Sequence, residues 1–338
     1  MKKHIYALFA VITLGIPGMR AQDLHYSQFY LSTLNLNPSM VGIFPGDVRI
    51  GTQMRSQWYV NNLGQYRTFT AQGAYKTGVR PYKPHFFTLG VVFNYDYAGD
   101  SKLSLTHLGL SGSYSHILNP SNIISGGVIV GIHHRRFRLD DLLWDNQWNG
   151  EVVDPSLPSG ESFDLLSRTF LDIGAGFNYV WQKSYRKKVH AGLGMLHLNR
   201  PQVNFDRSGQ RIRLSPRFAL HANATWPLLD QLDILGHGLF QFQNPYRELI
   251  IGGYARFHIN KQRGKELMFS LGLSHRFGDA VIPKIAVEWS NWYAGLSYDI
   301  TTSDFARANG RLGGAELSVF YRIVHVPALQ QSKICPIY

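Results

Sequence analysis

The chain has 338 residues, 34 Lys and Arg against 22 Asp and Glu, a formal net charge of +12, 13% aromatic and only 17% charged residues, 33 Gly and one Cys. A single cysteine excludes an internal disulfide. The basic balance does not point to nucleic acid, because the N-terminus reads as an export leader and no nucleic-acid motif appears, and it leaves lipid phosphates, an acidic protein or a solvated surface as counterparts.

Residues 1–21 are predicted to be a signal peptide: Lys2 and Lys3 supply the positive start, Ile5 to Ile16 the apolar stretch, and Ala21 a small residue at the cut. The apolar run is shorter than the roughly 20 residues of a membrane helix, and no later run is apolar enough to span as one. An exported, aromatic-rich, Gly-rich chain without helical spans has the profile of a transmembrane β-barrel, whose apolar residues are spread over alternating strands. Secreted sandwiches and propellers share much of that profile, so the strand pattern decides.

Residues 22–46 form a periplasmic N-terminal segment containing "HYSQFYLSTLNLNPSMVG", which is too aromatic to lie comfortably in water. Its options are to fold into a barrel mouth as a plug or cap, to bind another protein, or to serve as an ordered lead-in. As a plug it is expected at the periplasmic end, anchored by Tyr26, Phe29 and Tyr30, with Asn37 and Pro38 turning the chain into the first strand.

From Asp47 onward, period-two segments alternate with turn residues. In "DVRIGTQMRSQWYV", Val48, Ile50, Met54, Trp58 and Val60 share one parity, while Arg49, Gln53, Arg55 and Gln57 share the other. Such a strand has one apolar and one polar surface. "RTFTAQGAYK", "FFTLGVVFNYDY", "FLDIGAGFNYVW", "RFALHANATW", "ELMFSLGLSHRF", "WYAGLSYDITT" and "GGAELSVFYRIV" repeat the pattern, giving about fourteen spanning strands over 47–326. Trp58, Tyr75, Tyr97, Trp181 and Trp226 close segments on the apolar parity, where an aromatic girdle meets lipid headgroups.

The connections from Leu139 to Ser167, Asn199 to Arg211 and Ser303 to Leu312 are long, whereas "LNPSN", "KSYRK", "PLLDQ" and "NKQRGK" are short. Long extracellular loops and short periplasmic turns are the asymmetry of an outer-membrane barrel, with both termini in the periplasm. Residues 327–338, including Cys335, form a periplasmic tail. The polar parity carries Arg217, Arg256, Arg276, Arg322, Glu288, Asp299 and Glu316. These are lumen-facing, and they suit either a wet pore or ion-pair networks that fill the barrel.

No catalytic, cofactor or metal site is predicted. G-x-S-x-G and H-E-x-x-H are missing, and the adjacent His133 and His134 point to opposite faces of a strand. Asp172, His190 and His197 lie close in sequence, as in barrel enzymes with Asp/His pairs, but lumen filling is the commoner role of such residues.

"AQDLHYSQFYLSTLNLNPSMVG", "RIGTQMRSQW", "DDLLWDNQW" followed by "PSGES", "HLNRP" and "NWYAGLSYDITTSDFARANGRLGGAELSVFY" together resemble the PorP/SprF family of the Bacteroidetes type IX secretion system, over nearly the whole mature chain. The Arg- and His-rich "GIHHRRFR" departs from that pattern. The resemblance implies a non-enzymatic outer-membrane barrel of a Gram-negative bacterium. It also implies work with the secretion and gliding machinery, through ring components or through export and surface retention of a large adhesin. Partners are then a secreted adhesin-like protein, other secretion components and outer-membrane lipids. The long loop holding Trp144, Asp145, Gln147, Trp148 and Glu161 is the expected partner site, Trp being a favoured interface anchor. A solute channel is the alternative.

Overall fold

The computed structural model describes residues 23–57, 66–77, 84–99, 102–139, 142–160, 165–205, 211–262 and 264–324. The leader, Trp58, Val60, Glu161 and the tail with Cys335 lie outside the described residues.

Fourteen antiparallel strands close into one barrel in simple up-and-down order. They are β1 (Val48–Gln57), β2 (Tyr66–Thr77), β3 (His85–Ala98), β4 (Leu103–Asn119), β5 (Asn122–Arg136), β6 (Ser167–Ser184) and β7 (Lys187–Leu196). The second half comprises β8 (Arg217–Leu229), β9 (Leu232–Gln243), β10 (Tyr246–Asn260), β11 (Leu267–Arg276), β12 (Ala280–Trp289), β13 (Trp292–Thr301) and β14 (Leu312–Ile323). The last strand pairs with the first from Val48↔Ile323 to Gln57↔Gly314, so no sheet edge is left open. Closure matters in lipid, where an unpaired backbone group finds no water.

The alternation reads directly as inside and outside. Ile50, Met54, Leu89, Leu171 and Leu220 are exposed on the outer face, while Gln53, Arg55, Asn94, Asn178 and His221 are buried on the inner one. Phe93, Phe177 and Phe218, which a two-sheet sandwich would bury, are 38%, 53% and 39% exposed. Lipid is the solvent that makes such an oily exterior stable. At the end where the short turns lie, Trp181 and Trp226 stack with ring centroids 6.4 Å apart, and Lys187 Nζ sits 3.7 Å from the Trp226 ring centre.

The two ends differ as expected, with one refinement. The long connections β5–β6, β7–β8 and β13–β14 share one end, but β3–β4, β9–β10 and β11–β12 at that end span only 99–102, 244–245 and 277–279. Three loops carry the asymmetry. The β13–β14 loop contains a short helix, α1 (Ala306–Asn309), stopped by Gly310 at φ 62.

Candidate functional site

The segment before β1 lies inside the barrel. It contains a single helical turn, Thr33–Leu36, and a 3-10 turn, Pro38–Met40. Tyr26, Phe29, Leu34, Leu36, Met40 and Val41 are all buried. Phe29, Leu36 and Met40 pack on Ala219, Leu239 and Ile250, while Leu34 and Val41 pack on Val92, Ile129 and Leu196. Lumen-facing glycines make room for this packing: a Cβ on Gly127 would stand 2.6 Å from the carbonyl oxygen of Pro38.

The course of the segment differs from a cap at the turn end. Asp23 lies beside Arg217 at the loop-end start of β8, and Asp47 donates its backbone N–H to Ile323 O at the turn end. The segment therefore runs through the lumen from one end toward the other. Asn37 is not the turn into β1: it is fully buried in mid-lumen, its Oδ1 caps the 3-10 turn at Ser39 N, and its Nδ2 donates to Phe177 O at 3.0 Å. Tyr26 shares a 2.7 Å hydrogen bond with Thr70, and Tyr30 packs between His237 and Tyr254.

Three polar networks hold the segment. In the first, Asp299 accepts from Arg55 and Arg276 at 2.7 Å each and from Ser27 Oγ at 2.6 Å. Glu316 accepts the backbone N–H groups of Ser27 and Gln28 at 2.6 and 2.9 Å, and Arg276 also meets Glu248 at 2.9 Å. Two buried arginines, which also donate to Ser27 Oγ, and two carboxylates thus grip two successive residues of the segment, and buried charges persist only when paired this way.

In the second network, Asn35 and Asn94 exchange amide hydrogen bonds at 2.9 and 2.8 Å, and Gln72 and Arg49 both donate to Leu31 O at 2.9 Å. The third lies at the loop end. His197 sits between Asp172 (2.9 Å from Nδ1) and Asp23 (2.7 Å from Nε2), and Arg217 holds Asp23 at 2.9 Å and the carbonyls of Leu24 and Asn35. Burial opposes a charged imidazole, but the Asp23 carboxylate and the hydrogen bonds His197 donates to Asp172 and Asp23 outweigh it and lift His197 to about 9. Burial likewise opposes the Asp23 carboxylate, yet Arg217 and His197 hold it well below its ordinary range.

Of the lumen residues expected from the sequence, Arg217, Arg276, Asp299 and Glu316 belong to networks that touch the segment. Arg256 and Arg322 instead meet Glu288 at 2.7 and 3.5 Å on the turn side. Asp172 and His197 come together while His190 stands apart, its Nδ1 buried without a partner. Among the described residues, no group of three or more His, Cys, Asp or Glu is arranged to hold a metal ion. The roles of Asp23 and Arg55 escaped the sequence reading. Only the polar parity of Arg55 and the placement of Asp23 just after the leader hinted at them.

Residues 142–160 of the β5–β6 loop are tied together by their own hydrogen bonds. Gln147, in a 3-10 turn (Asp145–Gln147), is buried and donates to Pro155 O and Leu157 O at 3.4 and 3.0 Å. Its Oε1 accepts from Trp144 N at 3.0 Å. Gln147 therefore builds the loop rather than offering itself to a partner. Trp144 is half-buried, Asp145 is exposed, Trp148 is 55% exposed and bridged to the exposed Val153, and Leu143 and Val152 are exposed in the same loop.

The barrel is similar to two solved structures. One is a toluene transporter, TbuX, of Ralstonia pickettii (11% identity, 87% of this chain and 94% of that one, TM-score 0.50). The other is a FadL homologue of Pseudomonas aeruginosa (11%, 84% and 92%, TM-score 0.51). At such identity they establish the fold alone. No curated protein matches the sequence. The family model described as "Type IX secretion system membrane protein PorP/SprF" matches residues 19–321. The chain therefore belongs to the PorP/SprF family of type IX secretion system membrane proteins, resides in the outer membrane, and has other components of that system as its partners.

Proposed function

We propose that the protein is a non-catalytic, self-sealed outer-membrane platform of the type IX machinery that retains a large secreted adhesin-like protein at the cell surface through its β5–β6 loop. The carrying observation is that a loop fixed internally by Gln147 carries the exposed apolar side chains of Leu143, Trp148, Val152 and Val153, with Trp148 and Val153 bridged to one another. Exposed aromatic and aliphatic side chains on a preorganised backbone are what interface anchors look like. Asp145, exposed at the same turn, and Glu161 in the same loop add acceptors for orientation.

The filled lumen supports a platform over a solute channel, since a permeant molecule would have to displace a segment held by the Asp23 ion pairs and by hydrogen bonds to buried charged groups of the wall. The test is co-purification from native outer membranes with mass spectrometry. The wild-type protein is expected to bring down a large secreted protein that the Trp148→Ala and Val152→Asp variants lose. Recovery of other secretion components only, equally by all three proteins, overturns retention through this loop.

A further inference from the structure

The lumen differs electrically between its two halves. On the loop side, cations and carboxylates are matched: Arg55 and Arg276 face Asp299, Glu316 and Glu248, and Arg217 and His197 face Asp23 and Asp172. On the turn side, the inward parity brings together Arg49, Lys188, Arg256 and Arg322, with Arg49 and Arg322 direct cross-strand neighbours. Among the described residues, the strands carry two inward carboxylates at this level, Asp233 and Glu288; the half-buried Asp47 and Glu266 precede β1 and β11 at the same end, Asp47 within electrostatic range of Lys76. Asp233 is taken by Arg186 and His258, each at 2.7 Å, so Glu288 alone serves Arg256 and Arg322.

Lys188, on the opposite wall, lies within electrostatic range of Arg256, Glu288 and Arg322, and Arg322 is in turn the cross-strand neighbour of Arg49. Residues 78–83, 263 and 325–338, which adjoin this end in sequence, contain no Asp or Glu. Like charges repel most where water is scarce, and a low-dielectric mouth of one sign concentrates anions.

A second observation lies on the same wall. The cross-strand partners His190 and Asn223, both half-buried, have Nδ1 and Nδ2 buried without partners. Buried polar groups left open in this way need a ligand or water. Excess cations beside open polar groups suit a polypeptide, whose carboxylates answer the first and whose backbone answers the second. A small anion answers only the cations.

We propose that the turn-end mouth, which faces the periplasm in barrels of this kind, is a docking site for an acidic, Asp/Glu-bearing segment of a periplasmic partner protein, held by Arg49, Lys188, Arg256 and Arg322. The filled lumen makes it a closed socket. It lies at the opposite end from the β5–β6 loop and stands independently of that loop's role.

The test is fluorescence anisotropy of the full-length protein in detergent with a short fluorescein-labelled polyglutamate peptide, with polyglutamine and inorganic phosphate as competitors. Binding is expected to weaken as salt rises. It should fall about tenfold, roughly 1.4 kcal/mol, in each of Lys188→Gln and Arg49→Gln, which strip no carboxylate of its ion-pair partner; Lys188→Gln is the cleaner of the two, since Arg49→Gln also removes the hydrogen bond to Leu31 O. Lys188→Arg should retain it, and Trp148→Ala should not change it. Heat-dependent gel mobility confirms that each variant is folded. Phosphate competing as well as unlabelled polyglutamate overturns the peptide in favour of a small-anion site, and equal competition by polyglutamine, or wild-type binding by folded Gln variants, overturns the site altogether.

Discussion

Oδ2 of Asp23 lies 2.7 Å from Nε2 of His197, joining the first described residue of the lumen segment to the rim just beyond β7. His197, raised from 6.5 to about 9, adds stability that is complete below about 6.5 and lost as pH rises through about 9. Asp23, held below its ordinary 3.8, adds stability that is present above that value and lost as pH falls through its own lower one. Thermal unfolding in detergent should therefore show a plateau between about pH 4 and 6.5 and a decline toward pH 10. The His197→Gln variant should lack the alkaline limb.

Asp299→Asn leaves Arg55 and Arg276 buried with part of their counter-charge gone. Breaking such a pair costs about 3–5 kcal/mol. The folded, fast-migrating band on unheated gels should disappear at lower urea than for the wild type. Ser27→Ala, which removes one hydroxyl from the same carboxylate, should cost only about 1–2 kcal/mol.

Gly127→Val places side-chain atoms where the Pro38 carbonyl and Ser39 N–H now lie. The strand is pinned by neighbours on both sides, so the segment is the part that yields. Protease cleavage between Asp23 and Asp47 should appear in this variant and be missing from the wild type, with the barrel remaining intact on gels.

Gln147→Ala and Trp148→Ala should separate loop order from partner contact. The first removes hydrogen bonds to Pro155, Leu157 and Trp144 and should speed proteolysis of the loop severalfold. The second removes an exposed ring and should leave the proteolysis rate unchanged while abolishing partner recovery.

The barrel was legible in the sequence because its signal is local. Phe87, Leu89, Val91 and Phe93 on one parity and Thr88, Gly90, Val92 and Asn94 on the other already distinguish an outer from an inner face. Val92 is the instructive exception: apolar yet inward and fully buried, because it packs on Leu34 and Val41 of the lumen segment. The plugging segment was visible as an aromatic stretch in search of cover, but its path was not. Ser27 meets Asp299 across 272 residues of sequence, and no periodicity encodes such a pairing. The same distance hid the Asp23–His197–Asp172 arrangement, in which only the last two residues are near one another in the chain.

Planar-bilayer conductance of the full-length protein beside the same protein lacking residues 23–46 tests the sealed barrel most directly. The intact chain should be silent and the shortened one should open in stable steps. Large stable openings from the intact chain would contradict a lumen closed by its own N-terminal segment.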